Sequence, residues 1–362
     1  MIPLVKTNLP PRESLMPKLE DVLYSGYVAQ GAKVEEFELA FRNYIGSGYS
    51  LSVNSGTAAL HISLILAGVQ SGDEVISTAL TAEPTNVAIK MVGAKIRYAD
   101  IDFSTGNINP ESIIDNINDS TKAIMVVDYA GVPVNVGIIQ EISKQYQIPI
   151  IEDAAHALGS SVWGKKTGNH FPFTIFSFQA IKHMTTIDGG VLQLSDSSLY
   201  QDAKLIRWFG IDKSKTRLEN NIRRQGYKYH MNDVTATIGL VQLEIIDRVV
   251  EIHIENGKYF DQELKKIPGV SLLEYYPGTS PSYWLYTLKV EDRDGFIKKL
   301  AEEGITASEL HKRNDLHEYL KDFDCELPNL ERFYREMVHI PCGWWIDLEA
   351  REKIVNVIKS GW

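Results

Sequence analysis

Short apolar runs with strand composition recur through the first two thirds of the chain and alternate with patterns typical of amphipathic helices. The runs read SLSV, DEVIST, AKIRYAD, KAIMVVD, IPIIED, FTIFSF and GGVLQL. Strand–helix alternation of this kind is typical of βαβ units, in which the strands form a largely parallel sheet. We therefore predict an α/β fold whose active site lies at the carboxyl ends of the strands.

The last third of the chain follows a different pattern. A long amphipathic helical run begins near Met231, and it is followed by a strand, SYWLYTLKV, and two helices, DRDGFIKKLAEEG and REKIVNVIKSG. A chain of 362 residues is long enough for two cores. We predict a large domain over residues 1–250 and a smaller α+β domain over residues 251–362.

Composition excludes several classes of protein. The net charge is −10 and no run of Lys and Arg offers a surface for phosphates, so we expect no nucleic-acid partner. The two cysteines, Cys325 and Cys342, lack metal-ligand spacing, and we expect neither a metal site nor a disulfide scaffold. We see no signal peptide and no apolar segment of membrane-spanning length, and we expect a cytoplasmic protein without a membrane partner.

Three predicted strand ends carry residues that are suited to catalysis or to ligand binding. The first is NSGTAAL, where Ser55, Gly56 and Thr57 lie between a strand and a helix. The N–H groups of a helix N-terminus bind anions, and glycine lets the anion approach the backbone. The alternative is a plain helix cap with a turn glycine.

The second strand end is IPIIEDAAHALGS, which contains Asp153 and His156. A carboxylate at the end of a buried strand needs a cation or strong hydrogen-bond donors, and a protonated pyridine nitrogen would serve. The alternatives are a helix-capping Asp153 and a His156 that is satisfied within its helix.

The third strand end is SFQAIKHMTTIDGG, with Ser177 on the strand and Lys182 in the loop after it. An apolar pocket would lower the pKa of Lys182 and make its neutral amine a nucleophile. A Schiff-base lysine, an aspartate for a pyridinium and a phosphate cradle are what pyridoxal 5'-phosphate needs. The alternatives are an exposed lysine and an ordinary strand serine.

These stretches, in this order, resemble the DegT/DnrJ/StrS family of sugar aminotransferases. The resemblance extends from GYVAQGAKVEEFELAFRNYIGSGYSLSVNSGTAALHISL through VGAKIRYADID to GYKYHMNDVTATIGLVQLEIID. It implies the aspartate-aminotransferase-like fold, PLP fold type I, and a homodimer with active sites at the interface. It also implies transfer of an amino group from glutamate to a keto sugar linked to a nucleoside diphosphate.

The resemblance implies a role for each candidate residue. Lys182 forms the Schiff base with the cofactor and moves protons, while Asp153 keeps the pyridine nitrogen protonated. His156 lies near the phenolic oxygen of the cofactor. Gly56, Thr57 and Ser177 match the family's phosphate cradle.

Two positions depart from the family pattern. In TAEPT, Ala82 stands where the family has an aromatic residue over the cofactor ring. In GYKYHM, Lys228 replaces an asparagine that in the family reaches the phosphate in the neighbouring subunit. Because a lysine can meet a phosphate as a point charge, we predict that Lys228 does so across the dimer interface. The alternative is a solvated lysine.

The segment ELHKRNDLHEYL occupies the place where the family contacts sugar or nucleotide. His311, Lys312 and Arg313 are candidates to bind a phosphorylated substrate, and the alternative is a solvated basic helix face. We predict an aminotransferase for a nucleotide-linked keto-deoxy sugar, acting in amino-sugar biosynthesis. The alternatives are the same reaction on a small phosphorylated ketone, a PLP-dependent sugar dehydratase, and a sensor or binding protein without turnover.

Overall fold

The computed structural model describes residues 1–362. The strands are β1 Tyr49–Val53, β2 Glu74–Ser77, β3 Lys95–Tyr98, β4 Thr121–Val127, β5 Ile150–Asp153, β6 Ser161–Val162, β7 Lys165–Lys166, β8 Phe173–Ser177, β9 Gly190–Leu194, β10 Val270–Leu272, β11 Thr279–Ser280, β12 Tyr286–Val290 and β13 Met337–Ile340. The helices are α1 Arg12–Leu23, α2 Ala32–Ile45, α3 Gly56–Leu66, α4 Glu83–Met91, α5 Pro110–Asn116, α6 Val136–Tyr146, α7 Ser197–Arg207, α8 Asp233–Leu243, α9 Ile246–Leu264, α10 Arg293–Glu302, α11 Pro328–Glu336 and α12 Leu348–Lys359.

The central sheet has seven strands in the order β1-β9-β8-β5-β4-β2-β3. Every strand except β9 runs in the same direction, since β9 pairs antiparallel with both β1 and β8. The predicted α/β fold with a mostly parallel sheet is therefore confirmed. The strands are buried on both faces, which explains their nearly continuous apolar sequences.

The start of β9 passes very close to the turn between β1 and α3. A Cβ atom at Gly190 would lie 2.8 Å from the backbone nitrogen of Gly56 and 2.8 Å from the carbonyl oxygen of Phe176. Only glycine fits at such an approach. The close contact holds the β1–α3 turn and the end of β8 side by side.

The smaller hydrophobic core is formed by side chains of the antiparallel sheet β10-β12-β13 and of the helices α9, α10 and α12. The predicted long helical run is interrupted between α8 and α9. Val249 and Val250 of α9 pack in a core of the large domain, whereas Phe260 and Leu264 pack in the small one. Because α9 crosses residue 250 without a break, it joins the two cores, and the division at residue 250 stays a prediction.

The first residues of the chain lie against the small core. Ile2 forms a parallel bridge with Ile305 and packs beside that core. None of the helices is both long and apolar enough to cross a bilayer. The two cysteines are free, with Cys325 exposed and Cys342 buried.

Candidate active site

A cavity of about 360 Å³ opens at the carboxyl ends of the parallel strands. It contains every predicted site residue except Lys228, namely Ser55, Gly56, Thr57, Asp153, His156, Ser177 and Lys182. We call Asp153, His156 and Lys182 the cavity floor. We call Glu83, His311 and His317 the cavity mouth, because Glu83 and His311 line the cavity, His317 lies beside Glu83, and all three side chains are partly exposed.

Asp153 ends β5 and is 4% exposed. One carboxylate oxygen accepts a hydrogen bond of 2.7 Å from the Thr85 hydroxyl, and the other accepts one of 3.1 Å from the backbone N–H of Ala155. The Thr85 hydroxyl lies 2.7 Å from that of Thr81. Burial raises the pKa of Asp153 although both hydrogen bonds act to lower it. A cationic ligand group beside this carboxylate would compensate for the burial.

Lys182 lies in the loop between β8 and β9 and faces the cavity. Burial lowers the pKa of its amine to about 8, because desolvation outweighs the favourable charge of Asp153. Its Nζ lies 4.1 Å from the ring centroid of Trp284, a cation–π distance. At pH 7 roughly a tenth of this amine is therefore neutral and nucleophilic, far more than for an exposed lysine.

Trp284 also packs against His156, with ring centroids 3.9 Å apart and an interplanar angle of 21°. The indole N–H donates a hydrogen bond of 2.9 Å to the carbonyl oxygen of Ile181. Burial, together with the nearby Lys182, lowers the pKa of His156 well below its ordinary value. The Nδ1 atom of His156 is buried without a hydrogen-bond partner, so a ligand can supply one.

The third part of the cavity is the N-terminus of α3. The Ser55 hydroxyl caps this helix by accepting a hydrogen bond of 3.1 Å from the N–H of Ala58, as the capping alternative predicts. The first N–H groups of the helix have no carbonyl partner within it, and they remain available to an anion. Gly56 faces Ser177 so closely that a Cβ atom would lie 3.0 Å from the Ser177 Cβ.

The donor set fits a pyridine ring that carries a phosphate group. The helix N-terminus and the Ser177 hydroxyl suit a phosphate, and the buried Asp153 suits a protonated ring nitrogen. The unpartnered Nδ1 of His156 suits a polar ring substituent. No group of three or more His, Cys, Asp or Glu side chains is arranged so that it could hold a metal ion.

Lys228 does not line the cavity of its own chain. Its backbone carbonyl accepts a hydrogen bond of 3.2 Å from the Asn54 side chain, and its side chain is exposed. The neighbouring Tyr229 accepts from the N–H of Asn54 at 2.7 Å. The backbone of Lys228 thus lies close in space to Asn54, just before the N-terminus of α3, and the predicted role of its side chain stays a prediction.

The segment Glu309 to Leu320 forms irregular chain with short 3-10 turns, so the alternative of a basic helix face is wrong. The segment is held in this irregular form by Asn314, which is fully buried. Its amide donates to the carbonyl oxygen of Thr81 at 2.9 Å and accepts from the Asn86 side chain at 2.8 Å. These bonds attach the segment to the start of α4.

Sequence reasoning missed three residues around the cavity: Thr85, Trp284 and Glu83. Thr81 and Thr85 are the two threonines of TAEPT, so the motif contained a signal for the contact with Asp153. Trp284 lies about a hundred residues after Lys182, and no local pattern connects the two. Ala82, the residue directly before α4, lines the cavity with its small side chain at the position where an aromatic residue was expected from the family pattern.

Comparison with known proteins identifies relatives along the whole chain. The model of the DegT/DnrJ/EryC1/StrS aminotransferase family matches residues 11–359. The UDP-4-amino-4,6-dideoxy-N-acetyl-beta-L-altrosamine transaminase of Campylobacter jejuni is 32% identical over 358 residues, which covers 96% of this chain and 93% of that protein.

Solved structures of similar fold also come from proteins described as sugar aminotransferases. The sugar aminotransferase CalS13 from Micromonospora echinospora is 36% identical, covers all of both chains and superimposes with a TM-score of 0.96. The Spr1654 protein of Streptococcus pneumoniae, described as a putative sugar aminotransferase in its PMP form, is 26% identical with a TM-score of 0.91, and the match covers 99% of this chain and 97% of that one.

Proposed function

Because the chain belongs to the DegT/DnrJ/EryC1/StrS aminotransferase family, we propose that it uses pyridoxal 5'-phosphate to move an amino group from glutamate to the keto group of a nucleotide-linked keto-deoxy sugar. The observation that carries the proposal is the cavity floor, where a lysine of lowered pKa and a buried, hydrogen-bonded aspartate face one cavity beside a helix N-terminus. The Campylobacter relative, whose name specifies a UDP-linked amino sugar, supports the acceptor class.

When bound, pyridoxal phosphate supplies an aldehyde that joins to amines and a ring that withdraws electrons. Lys182 would provide the amine that holds the cofactor. Once the amino group of the donor has replaced it there, the released neutral Nζ of Lys182 would take the proton from the α-carbon of the donor. Asp153 would hold the ring nitrogen through its carboxylate, whose two oxygens are oriented by Thr85 and Ala155. His156 would hold the ring's phenolic oxygen through a hydrogen bond at Nδ1.

The first N–H groups of α3 and the hydroxyls of Thr57 and Ser177 would hold the phosphate of the cofactor. The enzyme works as a homodimer, and Lys228 adds a positive charge to the phosphate in the partner's cavity. Two observations support this arrangement: the side chain is exposed in its own chain, and it does not reach its own cavity.

A small phosphorylated ketone is less well supported as the acceptor. Arg313, a candidate for binding its phosphate, is already paired with Asp315 through two hydrogen bonds of 2.6 and 3.0 Å. A sugar dehydratase is disfavoured because the members with that activity carry histidine at the lysine position, where this chain has Lys182.

The test is the visible absorbance spectrum of the purified protein before and after glutamate is added. We expect a band of bound cofactor that glutamate converts to the amine form, and loss of this conversion in Lys182→Ala. Addition of a UDP- or TDP-linked 4-keto-6-deoxy sugar should then restore the original band and yield a product that contains a new amine by mass.

Other outcomes identify the alternatives. A product that has lost water without gaining an amine would establish the dehydratase. Restoration by dihydroxyacetone phosphate alone would establish the phosphorylated ketone. A protein that binds pyridoxal phosphate without any conversion by glutamate would contradict an enzyme that uses glutamate as donor.

A further inference from the structure

The cavity mouth brings one carboxylate between two imidazoles. Glu83 Oε2 lies 3.9 Å from Nδ1 of His311, and Glu83 Oε1 lies 3.8 Å from Nε2 of His317. Both separations exceed a hydrogen bond, so neither imidazole satisfies the carboxylate directly. The Nε2 atoms of both histidines are buried without partners. The carboxylate of Glu83 thus lies between Nδ1 of His311 and Nε2 of His317, and neither histidine donates a hydrogen bond to it within the chain.

The fold holds this cluster in position. Glu83 begins α4, and Asn314, between the two histidines in the chain, is bonded to Thr81 and Asn86 at the start of the same helix. The N–H of Asn314 also donates to the carbonyl oxygen of Ala79 at 2.9 Å. The buried Asn314 thus attaches the segment that contains both histidines to the start of the helix that contains Glu83.

Glu83 and His311 both line the cavity that contains Lys182. The ring of His311 lies parallel to that of His156, with centroids 6.2 Å apart and an interplanar angle of 8°. Burial and the nearby Lys182 lower the pKa of His311 to about 4, although Glu83 acts to raise it. His311 is therefore neutral near pH 7 and presents one donor and one acceptor nitrogen.

A carboxylate beside neutral imidazole suits a ligand that both donates and accepts hydrogen bonds and carries no negative charge. Hydroxyl groups have this property, and the carboxylate oxygens accept from two of them. A phosphate or carboxylate at the same place would meet the negative charge of Glu83. The nearest arginine of the segment, Arg313, is held by Asp315 and offers no compensating charge.

We propose that Glu83 and His311 form the subsite that holds hydroxyl groups of the acceptor's sugar ring, with His317 orienting the Glu83 carboxylate. This inference rests on the proposed function and adds the part of the acceptor that these residues recognise. The hydroxyls donate to Glu83 and accept from His311, and these bonds orient the keto carbon toward Lys182. The donor amino acid does not use this subsite.

The experiment compares three variants of the holoenzyme: Glu83→Ala, Glu83→Gln, which keeps the shape and one oxygen, and the matched control Glu318→Ala. Glu318 is exposed and follows His317 directly, yet it lies outside the cavity. Glu83 has a side chain that is 42% exposed, so its truncation leaves the core intact. Three quantities are measured: the glutamate half-reaction by absorbance, KM for a UDP-linked 4-keto-6-deoxy sugar, and Kd of the corresponding amino-sugar product by calorimetry.

We expect Glu83→Ala to raise acceptor KM and product Kd by about 10- to 100-fold, the range for hydrogen bonds to a charged group. Glu83→Gln should show a smaller increase, and Glu318→Ala should match the wild type. The glutamate half-reaction should stay within about twofold in all three, since hydroxyl recognition is absent from that step. An acceptor lacking a ring hydroxyl next to the keto group should bind the wild type more weakly, but bind Glu83→Ala nearly as well as the complete acceptor does.

The outcomes separate this inference from the proposed function. If the wild type aminates the keto sugar and Glu83→Ala binds the product as tightly as the wild type, the hydroxyl subsite is wrong and the function stands. If Glu83→Ala weakens the donor half-reaction as much as it weakens acceptor binding, the hydroxyl subsite is also contradicted. If the wild type aminates no sugar nucleotide, the proposed function fails, and the hydroxyl subsite for a sugar fails with it.

Discussion

The cavity floor and the cavity mouth are built in different ways. Asp153 ends a buried strand and is held by two hydrogen bonds, and Lys182 follows the adjacent strand of the sheet. The mouth takes Glu83 from the first residue of a helix and its histidines from an irregular segment fixed mainly through Asn314. Asp153 has both carboxylate oxygens hydrogen-bonded within the chain, whereas none of the Glu83 carboxylate oxygens or the Nε2 atoms of the mouth histidines has a hydrogen-bond partner.

The difference suits the two tasks of a transaminase. The cofactor chemistry is the same for every substrate, and it needs groups held rigidly by regular structure. Substrate recognition varies, and irregular segments accept sequence changes without disturbing a sheet. The comparison predicts that changes in the floor affect the reaction with every substrate, while changes in the mouth affect acceptor binding alone.

The largest expected effect tests whether burial sets the reactivity of the floor. In protein stripped of cofactor, Lys182 should reach half of its maximal rate of reductive methylation near pH 8. Burial disfavours the ammonium form, so the amine loses its proton at a lower pH than an ordinary lysine, whose pKa is about 10.4. At pH 8 its neutral fraction should exceed that of an exposed lysine by about 100-fold.

Mass spectrometry of the peptide that contains Lys182 measures this rate, and peptides with exposed lysines in the same digest provide the control. A midpoint above pH 10 for Lys182 would show that the floor is as hydrated as the surface. The contrast between the buried floor and the partly exposed mouth would then be lost.

The next largest effect tests the hydrogen bonds that orient Asp153. Thr85→Val removes the bond of 2.7 Å to the carboxylate and should lower kcat by about 10- to 100-fold, the cost of losing a bond to a charged group. Because this bond lowers the pKa of Asp153, its loss should raise that pKa and move the acidic limb of the kcat–pH profile upward.

Thr81→Val is the control for this variant, because Thr81 touches Thr85 and not the carboxylate. It should lower kcat by roughly 2- to 10-fold, as expected for a bond between neutral groups, with little movement of the acidic limb. A lowered melting temperature in Thr85→Val with an unmoved limb would mean that Thr85 serves packing only.

The smallest effect tests whether the chain leading into the small domain contributes to the floor. Trp284→Phe removes the N–H bond to Ile181 and weakens the aromatic contact with Lys182, so kcat should fall about fivefold. Trp345→Phe is the matched control, since the Trp345 indole also donates at 2.9 Å to a backbone carbonyl, that of Pro3, away from the cavity. Equal losses of kcat in the two variants would mean that Trp284 has no special role at the floor.

Much of the floor was predictable because its residues follow strands. In a parallel sheet the carboxyl ends of the strands meet at one edge, so motifs after the adjacent strands β5 and β8 are enough to bring Asp153, His156 and Lys182 together. The sequence did not reveal Trp284, which approaches Lys182 from the segment before β12. It did not reveal the break between α8 and α9 either, because the amphipathic pattern continues across it.

The amino-acid sequence by itself determined the α/β sheet and the composition of the floor, since strand periodicity and turn residues are local properties of the chain. Only the tertiary structure decided what surrounds that floor. The packing of residues 309–320 on α4 depends on the buried Asn314 and on partners more than two hundred residues away. Local pattern does not encode such long-range packing, and so only the folded chain shows the mouth, where we propose that the acceptor is recognised.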